Sequence, residues 1–235
     1  MTCESCLPDQ SKSIIILMIN ALLAVIVVTI ILFSSEYLWR KKMLKGEYSR
    51  KLIHILAGCF VASMPFWISY GWIVIFALGA ILLSLINHQH RFLKAGLSVS
   101  RRSYGDLLFA VSILICAAIQ PNKWIFMVAI LHVSLADGLA AVIGTPFLRQ
   151  KDLVYKVFGQ KKTIVGSAVF VAVSFLLLFL TVELSGAYDG ISSIWPVLIW
   201  LPIATAITES VGVFGADNLL LPILVMFALL AVKTF

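Results

Sequence analysis

Charge is what this sequence has least of. Asp, Glu, Lys and Arg together make up 12% of its 235 residues, about half their share in an ordinary soluble domain. Hydrophobic residues reach 61% and mean hydropathy is +1.04. A soluble fold of this balance lacks the polar side chains to cover its own surface, which leaves an integral membrane protein whose backbone bonds are satisfied within helices. Cysteine is also scarce. Of the four, Cys59 and Cys116 lie in apolar segments and read as small core residues. Cys3 and Cys6 form one C-x-x-C without the second pair that a structural zinc site needs. No G-x-x-x-x-G-K-[ST] loop occurs, since Gly159-Gln-Lys-Lys-Thr has the wrong spacing and no α/β context. The N-terminal flank, with Glu4, Asp9 and Lys12, lacks the basic region of a signal peptide.

What is present is a series of long apolar runs. They predict about eight transmembrane helices: Ile14–Phe33, Leu52–Ile68, Trp72–Ile86, Leu107–Ile119, Trp124–Ile143, Ile164–Val182, Ile194–Phe214 and Asn218–Thr234. The expected fold is all-α: one polytopic bundle over residues 1–235, with residues 1–13 as an extracytoplasmic tail and 14–33 as the first helix. Fifteen of the 18 basic residues fall in alternate loops, 34–51, 87–106 and 146–163. By the positive-inside rule these loops are cytoplasmic and both termini face out. The net charge of +7 therefore concerns topology and gives no reason to expect a nucleic-acid partner.

Within that topology the polar residues gather at one depth. Asp137 lies about 9 Å, and Glu209 about 7 or 8 Å, inside the cytoplasmic ends of their helices, at 1.5 Å per residue. Asp217 and Asn218 sit at the turn between the last two helices, and His54 at the start of the second, with Arg50 one turn before it. A carboxylate in an apolar helix costs about 2.5 to 3.5 kcal/mol on insertion scales. Asp137, Glu209 and Asp217 at one level repel unless they bind a cation, share protons or meet a cationic ligand. Asp137, Ala140 and Gly144 share one helix face, and its small residues admit close approach by a ligand or another backbone. Thr163 is an N-cap candidate after Lys161 and Lys162, with Gly166 and Ser167 one turn on. A helix start of this kind offers free amides and positive charge to an anion, most naturally phosphate. Carboxylates suited to Mg²⁺ opposite a basic helix start fit phosphoryl or nucleotidyl transfer to a membrane-resident lipid.

Four blocks in order, RKLIHILAG (50–58), ADGLAAVIG (136–144), KKTIVGS (161–167) and ESVGVFGADNLLLP (209–222), carry a resemblance. Over residues 50–222 the chain resembles the CTP-dependent membrane lipid kinases: dolichol kinase, phytol kinase and the yeast-type diacylglycerol kinase. The resemblance implies phosphate transfer from CTP to a lipid alcohol, with a divalent cation such as Mg²⁺. It implies roles for Arg50 and Lys51 as a basic pair tied to activity, and for Asp137 and Gly144 in D-x-x-A-x-x-x-G. It also implies that Lys162, Thr163, Gly166 and Ser167 contact CTP. Val165 stands where the family often has Glu, and Thr145-Pro146-Phe147 where it has a basic, glycine-containing stretch.

The expected set therefore comprises catalytic Asp137, Arg50, Lys51 and His54. Gly144, Lys161, Lys162, Thr163, Gly166, Ser167 and Asn218 are expected at the nucleotide, and Asp137, Glu209 and Asp217 at the metal. Asp137 is either metal ligand or general base. Two other readings use the same residues: a phosphatidate cytidylyltransferase, whose long C-terminal signature is not visible here, and a cation-coupled transporter, which predicts polar residues across the full bilayer depth. Neither the lipid nor the oligomeric state is written in the sequence.

Overall fold

Each apolar run is helical in the computed structural model, which describes residues 10–43, 47–90, 92–93, 104–186 and 191–232. Cys3 and Cys6, and the loop residues Lys45, Arg91, Lys94, Arg101 and Arg102, lie outside the described residues. The helices are α1 Gln10–Arg40, α2 Glu47–Ser63, α3 Tyr70–His90, α4 Gly105–Ile119, α5 Lys123–Leu131, α6 Asp137–Gly144, α7 Ile164–Ser185, α8 Ile191–Val211 and α9 Asp217–Val232. Local chemistry sets several boundaries. The Asn122 side chain caps α5 by accepting the Trp124 N–H at 3.0 Å. Gly186 closes α7 in the left-handed region at φ 68°.

α5 and α6 form one rod, the predicted span Trp124–Ile143, joined by a π-helical turn at His132–Ala136. Such a turn widens the helix by one residue and frequently marks a functional site. The rod is the centre of the molecule: Phe126, Ile130, Val133 and Ala136 have no exposed surface. It packs against α2, α7 and α9, while α4 bridges α3 and α9, and α8 lies between α7 and α9. α1 touches mainly α2 and shows Ile15, Ile16, Leu22, Leu23 and Phe33 to the outside. An apolar helix with so little protein around it requires lipid as its solvent. Four helical stretches have the length and hydropathy to cross a membrane: Ile15–Arg40, Tyr70–His90, Lys123–Arg149 and Ile164–Ser185. Gly105–Ile119, Trp195–Val211 and Asp217–Val232 are apolar but shorter.

The loop predicted at 146–163 is largely structured, and it adds a short hairpin to a fold that is otherwise helical, as expected. After 3₁₀ turns at Thr145–Arg149 and Lys151–Leu153 the chain forms an antiparallel hairpin, β1 Val154–Val157 and β2 Gln160–Thr163. Val154 faces Thr163, Tyr155 faces Lys162 and Lys156 faces Lys161. Phe158 and Gly159 turn the corner with φ of 46° and 79°. Two consecutive positive φ values are what a two-residue loop needs to match strand twist. The hairpin fixes the register of Lys161, Lys162 and Thr163 before α7 begins.

Candidate active site

Three structural devices bring the expected residues together. The first joins α2 to α6. Lys51 Nζ donates to Asp137 Oδ2, and both side chains are buried. Asp137 is the first residue of α6, directly after the π turn. His54, one turn beyond Lys51, meets the Val133 carbonyl of that turn at 3.0 Å and packs on Phe109 at 4.7 Å between ring centroids. In this structure the Lys51 ammonium offsets the burial of Asp137, where the sequence leaves open a bound cation, shared protons or a cationic ligand.

The second device is the start of α7. Thr163 Oγ1 accepts the Gly166 N–H at 3.0 Å, which confirms the predicted N-cap. The cap sits directly against α6. A Cβ added to Gly144 would lie 2.6 Å from Thr163 Oγ1 and 3.0 Å from Gly166 Cα; one added to Gly166 would lie 3.1 Å from the Ala140 carbonyl. The small-residue face of α6 thus serves the close approach of another backbone. The remaining amides of the first turn of α7 stay beside Lys161 and Lys162 with the partial positive charge of a helix start.

The third device is the end of α8 and the turn into α9. Lys162 Nζ donates to a Glu209 carboxylate oxygen and also, at 3.1 Å, to the Glu209 backbone carbonyl. Burial works to lower the Lys162 pKa, but the negative charges of Glu209, Asp137 and Asp217 outweigh it, so the ammonium is held above its ordinary value. The turn passes through Phe214 at φ 56° and Gly215 at φ 91° before Asp217 opens α9. Gly212 is required here, because a Cβ would stand 2.9 Å from the Asp217 backbone nitrogen.

These devices surround a cavity of about 250 Å³. Arg50, Lys51, Asp137, Gly144, Lys161, Lys162, Thr163, Gly166, Ser167, Glu209 and Asp217 all line it. Of the expected site residues, only His54 and Asn218 do not. His54 holds the π turn as described, and Asn218 donates its side-chain amide to the Gly105 carbonyl at 2.7 Å, tying α9 to α4. Ala141, Leu148, Gln160, Gly212 and Gly215 also line the cavity and were not singled out from sequence, and Thr145, noted only as a departure from the family pattern, joins them. Tyr155 was missed as well: its phenol reaches Ser167 Oγ at 2.6 Å and Ser210 Oγ at 3.0 Å. The β-branched and aromatic run Val154-Tyr155-Lys156-Val157 before Phe158-Gly159 was the available signal, obscured by the basic loop around it.

The lining sets Arg50, Lys51, Lys161 and Lys162 against Asp137, Glu209 and Asp217, leaving a positive excess. Among the described residues no group of three His, Cys, Asp or Glu side chains stands close enough to cage a metal ion. The arrangement suits a polyanion held by cations and helix amides, with carboxylates at its edge.

Comparison with known proteins agrees with this chemistry. The chain is 32% identical over 201 residues to a phytol kinase from Synechocystis sp., a match covering 82% of each protein. No family model matches, and no solved structure is significantly similar. With most of both chains aligned at this identity, the chain belongs to the phytol and dolichol kinase type of membrane lipid kinases.

Proposed function

We propose that the chain transfers the terminal phosphate of CTP to the hydroxyl of a lipid alcohol, of the phytol, polyprenol or diacylglycerol class, at the cytoplasmic face of a membrane that it crosses about eight times. The observation carrying this reading is the cavity itself, where cations, a capped helix start and carboxylates line one space between helices. The family relationship supplies the reaction class, and the alternating basic loops supply the orientation.

In this reading Lys161, Lys162 and the first amides of α7 bind the phosphates, and Arg50 balances charge on the transferred group. The acceptor hydroxyl oxygen bonds to the terminal phosphorus, the bond to the CDP oxygen breaks, and the hydroxyl proton leaves to a base. The carboxylates also fit Mg²⁺, which is commonly held by one or two of them together with substrate phosphates and needs no protein cage. Asp137, Glu209 and Asp217 are the groups that would hold it, and its chemistry there is neutralisation of phosphate charge. When phosphate draws Lys51 and Lys162 away, Asp137 and Glu209 become free to act. Asp137 is then metal ligand or proton acceptor. Replacement by Asn separates the two, since losing a ligand raises the metal requirement whereas losing a base lowers the rate even at saturating metal.

The test is purified protein in lipid with CTP or ATP, Mg²⁺ and a panel of lipid alcohols, with phosphatidate in a parallel arm. Formation of a lipid phosphate together with CDP supports the reading. Release of pyrophosphate would favour a cytidylyltransferase, and ion flux without nucleotide turnover a transporter.

A further inference from the structure

We infer that Tyr155 is a positioning residue whose phenol aims the Ser167 hydroxyl at the phosphates of the bound nucleotide; this rests on the kinase reading above. Most hydrogen-bonded hydroxyls on the described helices turn back on their own backbone, with Ser84, which donates to Asp106, as an exception. Ser134 donates to the Ile130 carbonyl, Thr181 to Leu177, Thr205 to Leu201 and Thr208 to Ala204. Ser167 and Ser210 do not. Both turn to the Tyr155 phenol, at 2.6 and 3.0 Å, although they sit on different helices and Tyr155 on the hairpin.

Proton bookkeeping gives this arrangement a direction. A phenol has one proton to donate and lone pairs to accept with. If Ser210 donates to Tyr155 and Tyr155 donates to Ser167, the Ser167 proton is left for a further acceptor. Ser167 lines the cavity, so that acceptor is an anion bound there. The reverse order would turn the Ser167 proton away from the cavity, and a bound phosphate therefore selects the first. Hydroxyls in such a chain polarise one another, which strengthens the last donor. Without the phenol, Ser167 has the Thr163 carbonyl one turn back as its nearest alternative and rotates out of the cavity.

The experiment measures equilibrium binding of CTP to the full-length protein in detergent, for wild type, Tyr155→Phe, Ser167→Ala and the double variant, with thermal unfolding in parallel. Tyr155→Phe keeps the ring, and its expected effect is about tenfold weaker CTP binding, the scale of one charge-assisted hydrogen bond. Ser167→Ala should lose a similar factor and the double variant no more than Ser167→Ala alone, with kcat moving less than KM. Wild-type affinity in Tyr155→Phe, or losses that multiply in the double variant, would overturn the inference while leaving the kinase reading intact. Failure of wild type to bind CTP would instead overturn that reading and this inference with it.

Discussion

Gly144→Ala probes the packing on which the site is built. The new Cβ would lie 2.6 Å from Thr163 Oγ1 and 3.0 Å from Gly166 Cα. Ordinary contact begins near 3.4 Å, so the backbones of α6 and α7 would have to separate by a few tenths of an ångström, and the Thr163 hydroxyl would have to move further or leave its capping position. Helix backbones yield less readily than side-chain ends, and overpacking of this kind costs about 1 to 3 kcal/mol. The same movement pulls at the Thr163–Gly166 cap, which orients the first amides of α7, the groups proposed above to bind phosphate. The expected result is a melting temperature lower by several degrees, about 2 to 4 °C per kcal/mol at this chain length, and a raised KM for nucleotide. Gly79→Ala is the matched control. Nothing lies within 4 Å of a Cβ there, so in the middle of α3 the change should be neutral or stabilise by up to about 1 kcal/mol. If Gly144→Ala melts and binds nucleotide as wild type does, the close approach of α6 and α7 is not what shapes the site.

Lys51→Met should destabilise the protein by about 3 to 5 kcal/mol, because it strands the buried Asp137 carboxylate, while Lys51→Met with Asp137→Asn should recover most of that loss; chemical or thermal unfolding of both variants measures it. The raised pKa of Lys162 concerns pH. Its stabilising contribution is complete below the unfolded lysine value and fades only as pH rises through the still higher folded value. Nucleotide KM should therefore show no loss from this group between about pH 7 and about pH 10, and an alkaline rise there that Lys162→Arg abolishes would contradict the assignment.

The parts of the molecule that follow from one-dimensional pattern were legible in sequence. Apolar runs gave the helices, and Thr163 before an apolar run gave a true cap. Depth below the helix ends brought Asp137, Glu209 and Asp217 to one cavity because helices of constant rise convert residue spacing into height. What the sequence withheld depends on pairing across distance. Lys51 and Asp137 are 86 residues apart, and nothing local says that this lysine, rather than a cation from solution, answers that carboxylate. Asn218 stood within a site motif, yet its amide is used to hold α4. The hairpin is two four-residue strands with basic residues on both, too short for alternation to stand out, and with it Tyr155 was lost. The small face of α6 was read correctly as a close-approach surface, with its partner left open; the partner is the start of α7.

The central claim is that this cavity moves a terminal phosphate onto a lipid hydroxyl. The most direct measurement supplies CTP labelled in its terminal phosphate to the purified protein in lipid vesicles containing a long-chain isoprenoid alcohol or diacylglycerol, then locates the label. The account predicts labelled lipid phosphate with one CDP formed per lipid, lost in Asp137→Asn. Label recovered only in pyrophosphate, or full transfer by Asp137→Asn, would contradict it.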